Sequence, residues 1–225
     1  MKYKGIIFDY DGTVMDTQTP VHATAEAQVL SRYGVIVTPE SISKRFAGIP
    51  TVKVFETLAP EENPEQLVAE KWELVRTIVS TERIRPISGM HNLFEHIYQL
   101  KLPMIIATAS PRWYIEAMMS KSLAQDGAPD ALLEKYFGKN YVSAEEVAKP
   151  KPAPDVFLKA AEIIGIPVRE CLVVGDGRSD VMGATSAGMD VVYLSNSTKA
   201  FASMKNVSVF TDGAHIYEYL KRILN

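Results

Sequence analysis

The chain has 225 residues, of which 47% are hydrophobic and 23% charged, and a net charge of −3. That is an ordinary soluble composition with room for one good core and a small accessory domain. It excludes a nucleic-acid surface as the main business, and no apolar stretch approaches the ~18 residues of a bilayer span. A single cysteine, Cys171, excludes an intrachain disulfide. It lies in the apolar run 170–174 and reads as a small core residue. The N-terminus enters an apolar run at once, with no room for a signal peptide, and a reducing cytoplasm fits.

Ile6, Ile7 and Phe8 read as a short buried parallel strand that runs directly into Asp9-Tyr10-Asp11-Gly12-Thr13. Residues 14–19 read as a linker, and Pro20 opens a helix that runs over 21–33 and stops at Gly34. A second helix starts at Thr38-Pro39-Glu40-Ser41, and Ala47-Gly48-Ile49-Pro50-Thr51 breaks it. Short helical spacing covers 52–58, and a longer helix capped by Asn63-Pro64 runs to about residue 80. Residues 15–85 therefore hold helices and no convincing strand.

Pro86-Ile87-Ser88-Gly89 is a re-entry turn, followed by a helix over 90–100 and a buried strand over 103–107 that ends in Thr108-Ala109-Ser110. A helix opens at Pro111. Gly127-Ala128-Pro129-Asp130 interrupts the stretch 121–139 and splits it into two short helices. A short strand with a polar loop covers 141–147. Then come a helix over 156–164 stopped by Gly165, a strand over 170–174 ending in Gly175-Asp176-Gly177, and a helix over 180–187. Strands over 191–194 and 207–210 and a helix over 214–224 complete the chain. Alternating strands and helices predict a parallel sheet with right-handed crossovers and helices on both faces.

The chemistry stands at the strand ends, which a parallel sheet gathers on one edge. Asp9 and Asp11 are two positions apart and point the same way in extended backbone. Like charges that close need a cation, or one must hold a proton. Thr108 and Ser110 end the second strand, Asp176 ends the third, and Asp180 lies four residues on. Lys149 or Lys151 precedes the helix that leads to the third strand. Each has a plain alternative: a β-branched strand residue for Thr108, solvated loop charges for the lysines, a turn for Asp176, a helix N-cap for Asp180. Together, hard oxygens, a hydroxyl and an ammonium make a phosphate-and-metal site.

The order D-x-D-G-T, apolar-x-T-A-S, K-P-x-P-D and G-D-x-x-x-D, spanning residues 9–180, resembles the haloacid dehalogenase (HAD) superfamily of hydrolases. The helical insert resembles the cap of the subgroup with beta-phosphoglucomutase and phosphoglycolate phosphatase. The resemblance implies an α/β fold, a doubly wound, Rossmann-like parallel sheet core (1–14 and 86–225) with a small all-helical cap domain (15–85) inserted after strand 1. It implies Asp9 as the nucleophile and Asp11 as the acid that protonates the leaving alcohol and later activates water. Thr108 would hydrogen-bond the phosphoryl oxygens. Lys151 fits the motif lysine, whereas Lys149 fails at the last position of the pattern. Mg²⁺ would be held by Asp9, Asp176 and the backbone carbonyl of Asp11, with Asp180 binding it directly or through its water.

Three departures separate the chain from the mutase pattern: Gly175 replaces an acidic residue before Asp176, Val21 replaces a His after Asp16-Thr17 (His22 lies one further on), and Thr51 replaces an Arg after Gly48. Thr51 also stands where a phosphonoacetaldehyde hydrolase needs its lysine, with Lys53 out of step, and Asp11 is not what a dehalogenase needs. The resulting expectation is a Mg²⁺-dependent phosphatase of a small phosphorylated metabolite, a sugar phosphate or phosphoglycolate, in the cytoplasm, as a monomer or weak dimer without nucleic-acid or membrane partners. A phosphosugar mutase is the alternative, and a non-catalytic binding protein a further one. Substrate contacts are expected from Ala109, Ser110, Arg45, Gly48 and Arg112, with Gln18 and His22 as further candidates. Trp72, Trp113 and Tyr114 read as packing.

Overall fold

The computed structural model describes residues 2–121, 131–195, 201 and 203–225. The chain divides into two compact units, one running to Met15 and resuming over Pro86–Asn225, the other Asp16–Arg85. The expected interruption at 127–130 lies outside the described residues.

The smaller unit is helical: α1 (Thr24–Arg32), α2 (Pro39–Arg45), α3 (Thr51–Leu58) and α4 (Pro64–Thr81). Its core joins Val29 and Leu30 of α1 to Ile42, Val54, Phe55 and Leu67. The starts follow from side-chain caps. The Thr38 hydroxyl accepts from Ser41 N at 3.2 Å, and Asn63 Oδ1 accepts from Glu65 N at 3.0 Å, each relieving an orphan amide at a helix start. The sequence reading is late at one point. A wide helical turn spans Gln18–Ala23 and so begins within the last two residues of the expected linker. The Thr17 carbonyl accepts from both Val21 N (3.1 Å) and His22 N (3.0 Å), the wider i→i+5 pattern of a π-turn.

The larger unit is a parallel sheet. Its strands β1 (Gly5–Phe8), β2 (Met104–Ala107), β3 (Tyr141–Val142), β4 (Cys171–Gly175), β5 (Asp190–Leu194) and β6 (Val207–Phe210) lie in the order β3-β2-β1-β4-β5-β6. Its helices are α5 (Met90–Gln99), α6 (Arg112–Lys121), α7 (Ala131–Phe137), α8 (Asp155–Ile164), α9 (Arg178–Ala187) and α10 (Gly213–Leu224). Alternation assigns the faces. Ile7, Ile105, Val173 and Val191 pack with Phe157, Ala160 and Ala161 of α8 and Val181 and Ala184 of α9. Phe8 points the other way and meets Phe94 of α5 and Phe137 of α7 edge-on, at 5.2 and 5.7 Å between ring centres. Gly165 ends α8 with φ +67°, a left-handed stop that favours glycine.

Register fixes the chemistry. Phe8 pairs with Ile106 of β2 and Val174 of β4. Asp9 N continues the ladder to Val174 O at 2.8 Å, and Thr108 N reaches Val142 O at 2.9 Å. Asp9, Thr108 and Asp176 therefore leave neighbouring strands on the same edge. Among the described residues, no helix is long and apolar enough to cross a membrane.

Cys171 is fully buried at the start of β4, and burial, with a smaller push from Glu170, raises its thiol to about 11. The thiolate is the reactive form. An aromatic disulfide reagent at mildly alkaline pH is expected to leave the native protein nearly unlabelled and to label it fully in denaturant. Rapid labelling of folded protein would contradict this burial.

Candidate active site

Asp9 follows Phe8 directly and is buried with it. Its Oδ1 accepts from Lys151 Nζ at 2.6 Å. The same ammonium ion-pairs with Asp180 Oδ1 at 2.6 Å and donates to Ala107 O at 2.7 Å. Lys151 is buried, whereas Lys149 is exposed. The Thr13 hydroxyl lies 3.3 Å from Asp9 Oδ2 and 3.2 Å from Asp176 Oδ1, so one short side chain bridges two strand ends.

Asp180 occupies the first turn of α9, which begins two residues earlier than the sequence spacing suggests. Its Oδ2 accepts from Gly177 N at 2.9 Å. Asp180 is thus not the N-cap, which is Gly177, but the N3 residue whose carboxylate reaches back to the N-cap amide, and Oδ1 is left for Lys151. Gly175 makes the arrangement possible. A Cβ there would lie 2.7 Å from Asp180 Cβ and 2.8 Å from its Cγ.

Burial is the main force on the carboxylates. It pushes Asp9 up to about 7, with Asp180 and Asp11 adding to the rise and Lys151 opposing it. Asp176 is also raised well above the carboxylate range by burial, then by Asp9 and Asp180. Burial alone would lower Lys151, but Asp180 and Asp9 hold its ammonium above the usual lysine value.

Asp11 is only partly buried, and its carboxylate has different partners. Ser110 Oγ donates to Oδ2 at 2.5 Å and Tyr114 OH donates to Oδ1 at 2.7 Å. Thr108 is buried, and its Oγ1 accepts from Ser110 N at 3.0 Å, which leaves its own proton to give away. Ala109 beside it is exposed. Arg112 is turned to outer carboxylates, with its side chain 2.9 Å from Glu116 and 3.4 Å from Glu146. Arg45 and Gly48 belong to the helical unit, where the Arg45 guanidinium sits over the Phe46 ring at 5.2 Å. His22 and Gln18 belong to it too, and His22 meets Trp72 edge-on at 5.8 Å. Tyr114 is the residue that a reading as packing undervalues. Its spacing of four from Ser110, one helical turn, was the available signal.

Carboxylate oxygens of Asp9, Asp176 and Asp180 lie within 4.8 Å of one another. Three hard oxygen donors converge there with one ammonium bound to two of them, and this donor set fits a small dication such as Mg²⁺.

The comparisons agree with this picture. The model of the haloacid dehalogenase-like hydrolase family matches residues 6–194. The fructose-1-phosphate phosphatase YqaB of Escherichia coli is 31% identical over 85% of this chain and 96% of its own length. A phosphorylated carbohydrates phosphatase of Thermotoga maritima is 27% identical over 84% of each chain. An Entamoeba histolytica HAD hydrolase structure superposes with a TM-score of 0.80 at 24% identity, covering 99% of this chain and 100% of that one. The chain therefore belongs to the haloacid dehalogenase-like hydrolases. Within that family it is an enzyme of the phosphatase type.

Two stability predictions follow from the cluster. Lys151→Ala leaves buried carboxylates without their counter-charge and is expected to cost about 3–5 kcal/mol in denaturant unfolding with chelator present. Gly175→Ala forces a methyl group against Asp180 and is expected to cost about 1–3 kcal/mol by the same measurement. Wild-type stability in either variant would refute the packing described here.

Proposed function

We propose that the protein is a Mg²⁺-dependent phosphomonoester hydrolase that acts on a small phosphorylated metabolite of the sugar phosphate class through an aspartyl phosphate on Asp9. The observation that carries this reading is the buried Asp9 carboxylate. It stands at a strand end with a lysine 2.6 Å away and two further carboxylates beside it. The sugar phosphatase names of the relatives support the substrate class.

In the first step an Asp9 oxygen attacks phosphorus, the bond to the ester oxygen breaks, and that oxygen takes a proton from Asp11. In the second step Asp11 removes a proton from the attacking water and the bond between phosphorus and Asp9 breaks. This returns Asp9 as a carboxylate and Asp11 in its protonated form. Two negative groups must meet in the first step, so Lys151 offsets their repulsion and Thr108 donates to a phosphoryl oxygen. Asp9, Asp176 and the backbone carbonyl of Asp11 would hold Mg²⁺, with Asp180 binding it directly or through its water, and the ion would supply hard positive charge for the phosphoryl oxygens. The helical unit, as a cap domain, chooses the substrate in this reading, with the loop around Arg45 and Gly48 as the candidate. The enzyme would work in the cytoplasm as a monomer or weak dimer.

The test is phosphate release from a panel of small phosphomonoesters, with Mg²⁺ and with chelator. Chelation is expected to stop release and Mg²⁺ to restore it. Asp9→Asn is expected to lower turnover at least ~1,000-fold, as loss of a nucleophile does. Full activity in Asp9→Asn would end this reading. An isomerised sugar phosphate that forms without free phosphate would identify a mutase instead.

A further inference from the structure

We propose that Tyr114 and Ser110 form a hydroxyl bracket that positions Asp11, an inference that rests on the acid–base role given to Asp11 above. Both oxygens of this carboxylate are taken, Oδ1 by Tyr114 OH at 2.7 Å and Oδ2 by Ser110 Oγ at 2.5 Å. The terminal torsion of an aspartate is soft, with broad minima. Two donors on opposite oxygens fix the plane of the carboxylate, because rotation lengthens both bonds together.

The bracket is itself held. Ser110 is buried in the turn before α6, and its amide is tied to Thr108 Oγ1 at 3.0 Å. Tyr114 lies one helical turn further on and is fully buried. Its ring meets Tyr10 edge-on at 6.2 Å and Trp113 at 6.0 Å, so the phenol cannot swing away without disturbing that packing. A buried tyrosine hydroxyl needs a polar partner, but packing alone would be met by phenylalanine. Here the partner is the carboxylate two residues from the nucleophile. A hydroxyl both donates and accepts, so each arm can hold Asp11 as a carboxylate or as the acid. The bracket thus serves both steps without moving.

Tyr114 and Ser110 are positioning residues, and their loss should appear only where Asp11 moves a proton. The experiment compares wild type, Tyr114→Phe and Ser110→Ala on an alkyl phosphate and on an aryl phosphate with a good leaving group. Both variants are first checked for the native melting transition. Each is expected to lower kcat for the alkyl ester about 10- to 100-fold with KM little changed, the size of one lost charged hydrogen bond. With the aryl ester, whose leaving group needs no proton, the initial burst is expected to keep its rate while steady turnover falls. In an Asp11→Asn background, Tyr114→Phe is expected to change nothing further.

A Tyr114→Phe enzyme with alkyl turnover within about twofold of wild type would overturn the inference. So would equal slowing of burst and alkyl turnover, or a full additional loss on top of Asp11→Asn, since both describe a merely structural residue. If Tyr114→Phe does not fold, Ser110→Ala carries the same comparison. Full activity of Asp9→Asn would instead remove the proposed function itself and this inference with it, whereas an active, Asp9-dependent enzyme indifferent to the bracket rejects the bracket alone.

Discussion

Lys151 Nζ donates to Asp9 Oδ1 at 2.6 Å and to Ala107 O at 2.7 Å, and it ion-pairs with Asp180 Oδ1 at 2.6 Å. These acceptors stand on different elements, after β1, in the first turn of α9 and at the end of β2. One ammonium therefore ties the edges of the two strands to a helix. On the surface such a pair would contribute little. Here the lysine side chain is 2% exposed and the Asp180 side chain 3%, so neither charge can turn to water. Removing one partner strands the others, and this makes the cluster an all-or-none assembly.

Gly175 is the second constraint, and it depends on the first. The space a Cβ would need at 175 is filled by Asp180. A side chain of any kind before Asp176 and an inward Asp180 exclude each other at this position. The carboxylate at this corner of the site is supplied by Asp180. Asp180 adds what a strand residue could not. From N3 of α9 its second oxygen caps the helix through Gly177 N, so one side chain starts the helix and completes the cluster.

Much of this was legible in sequence because it depends on strand ends. The short apolar runs 6–8, 104–106 and 172–174 are β-branched or bulky and form parallel strands as their alternation with helices predicts. Asp9, Thr108 and Asp176 follow such runs and reach one edge by connectivity alone. The choice of Lys151 over Lys149 was available from the K-P-x-P-D string, and the structure buries the former and exposes the latter. What was not legible depends on side-chain direction. Arg112 follows the second strand closely enough to look like a ligand contact, yet its helix position turns it toward Glu116 and Glu146. Tyr114 behaves as a core aromatic over most of its surface, and only its terminal oxygen has another partner. The wide turn at 18–23 escaped because Pro20 marks a helix start, whereas the Thr17 carbonyl had already begun the turn.

The two carboxylates of the D-x-D string are built on opposite principles. Asp9 is withdrawn from water beside Asp176 and Asp180, and burial pushes it up to about 7 despite Lys151. Its neighbourhood holds more negative charge than one ammonium can match, a state that disfavours the compact fold by itself and attracts any cation or phosphate-borne dication the site can admit. Asp11 keeps partial contact with solvent and accepts hydrogen bonds from the hydroxyls of Ser110 and Tyr114. A hydroxyl carries both a proton to donate and lone pairs to accept with, so it can turn to meet either form of the group. A nucleophile benefits from a fixed counter-charge that holds it in line for attack. In the proposed mechanism Asp11 gives a proton and later takes one, and partners able both to donate and to accept can follow that exchange. The sequence D-x-D places these two demands two residues apart, and the fold separates them by sending one carboxylate to a lysine and the other to a serine and a tyrosine.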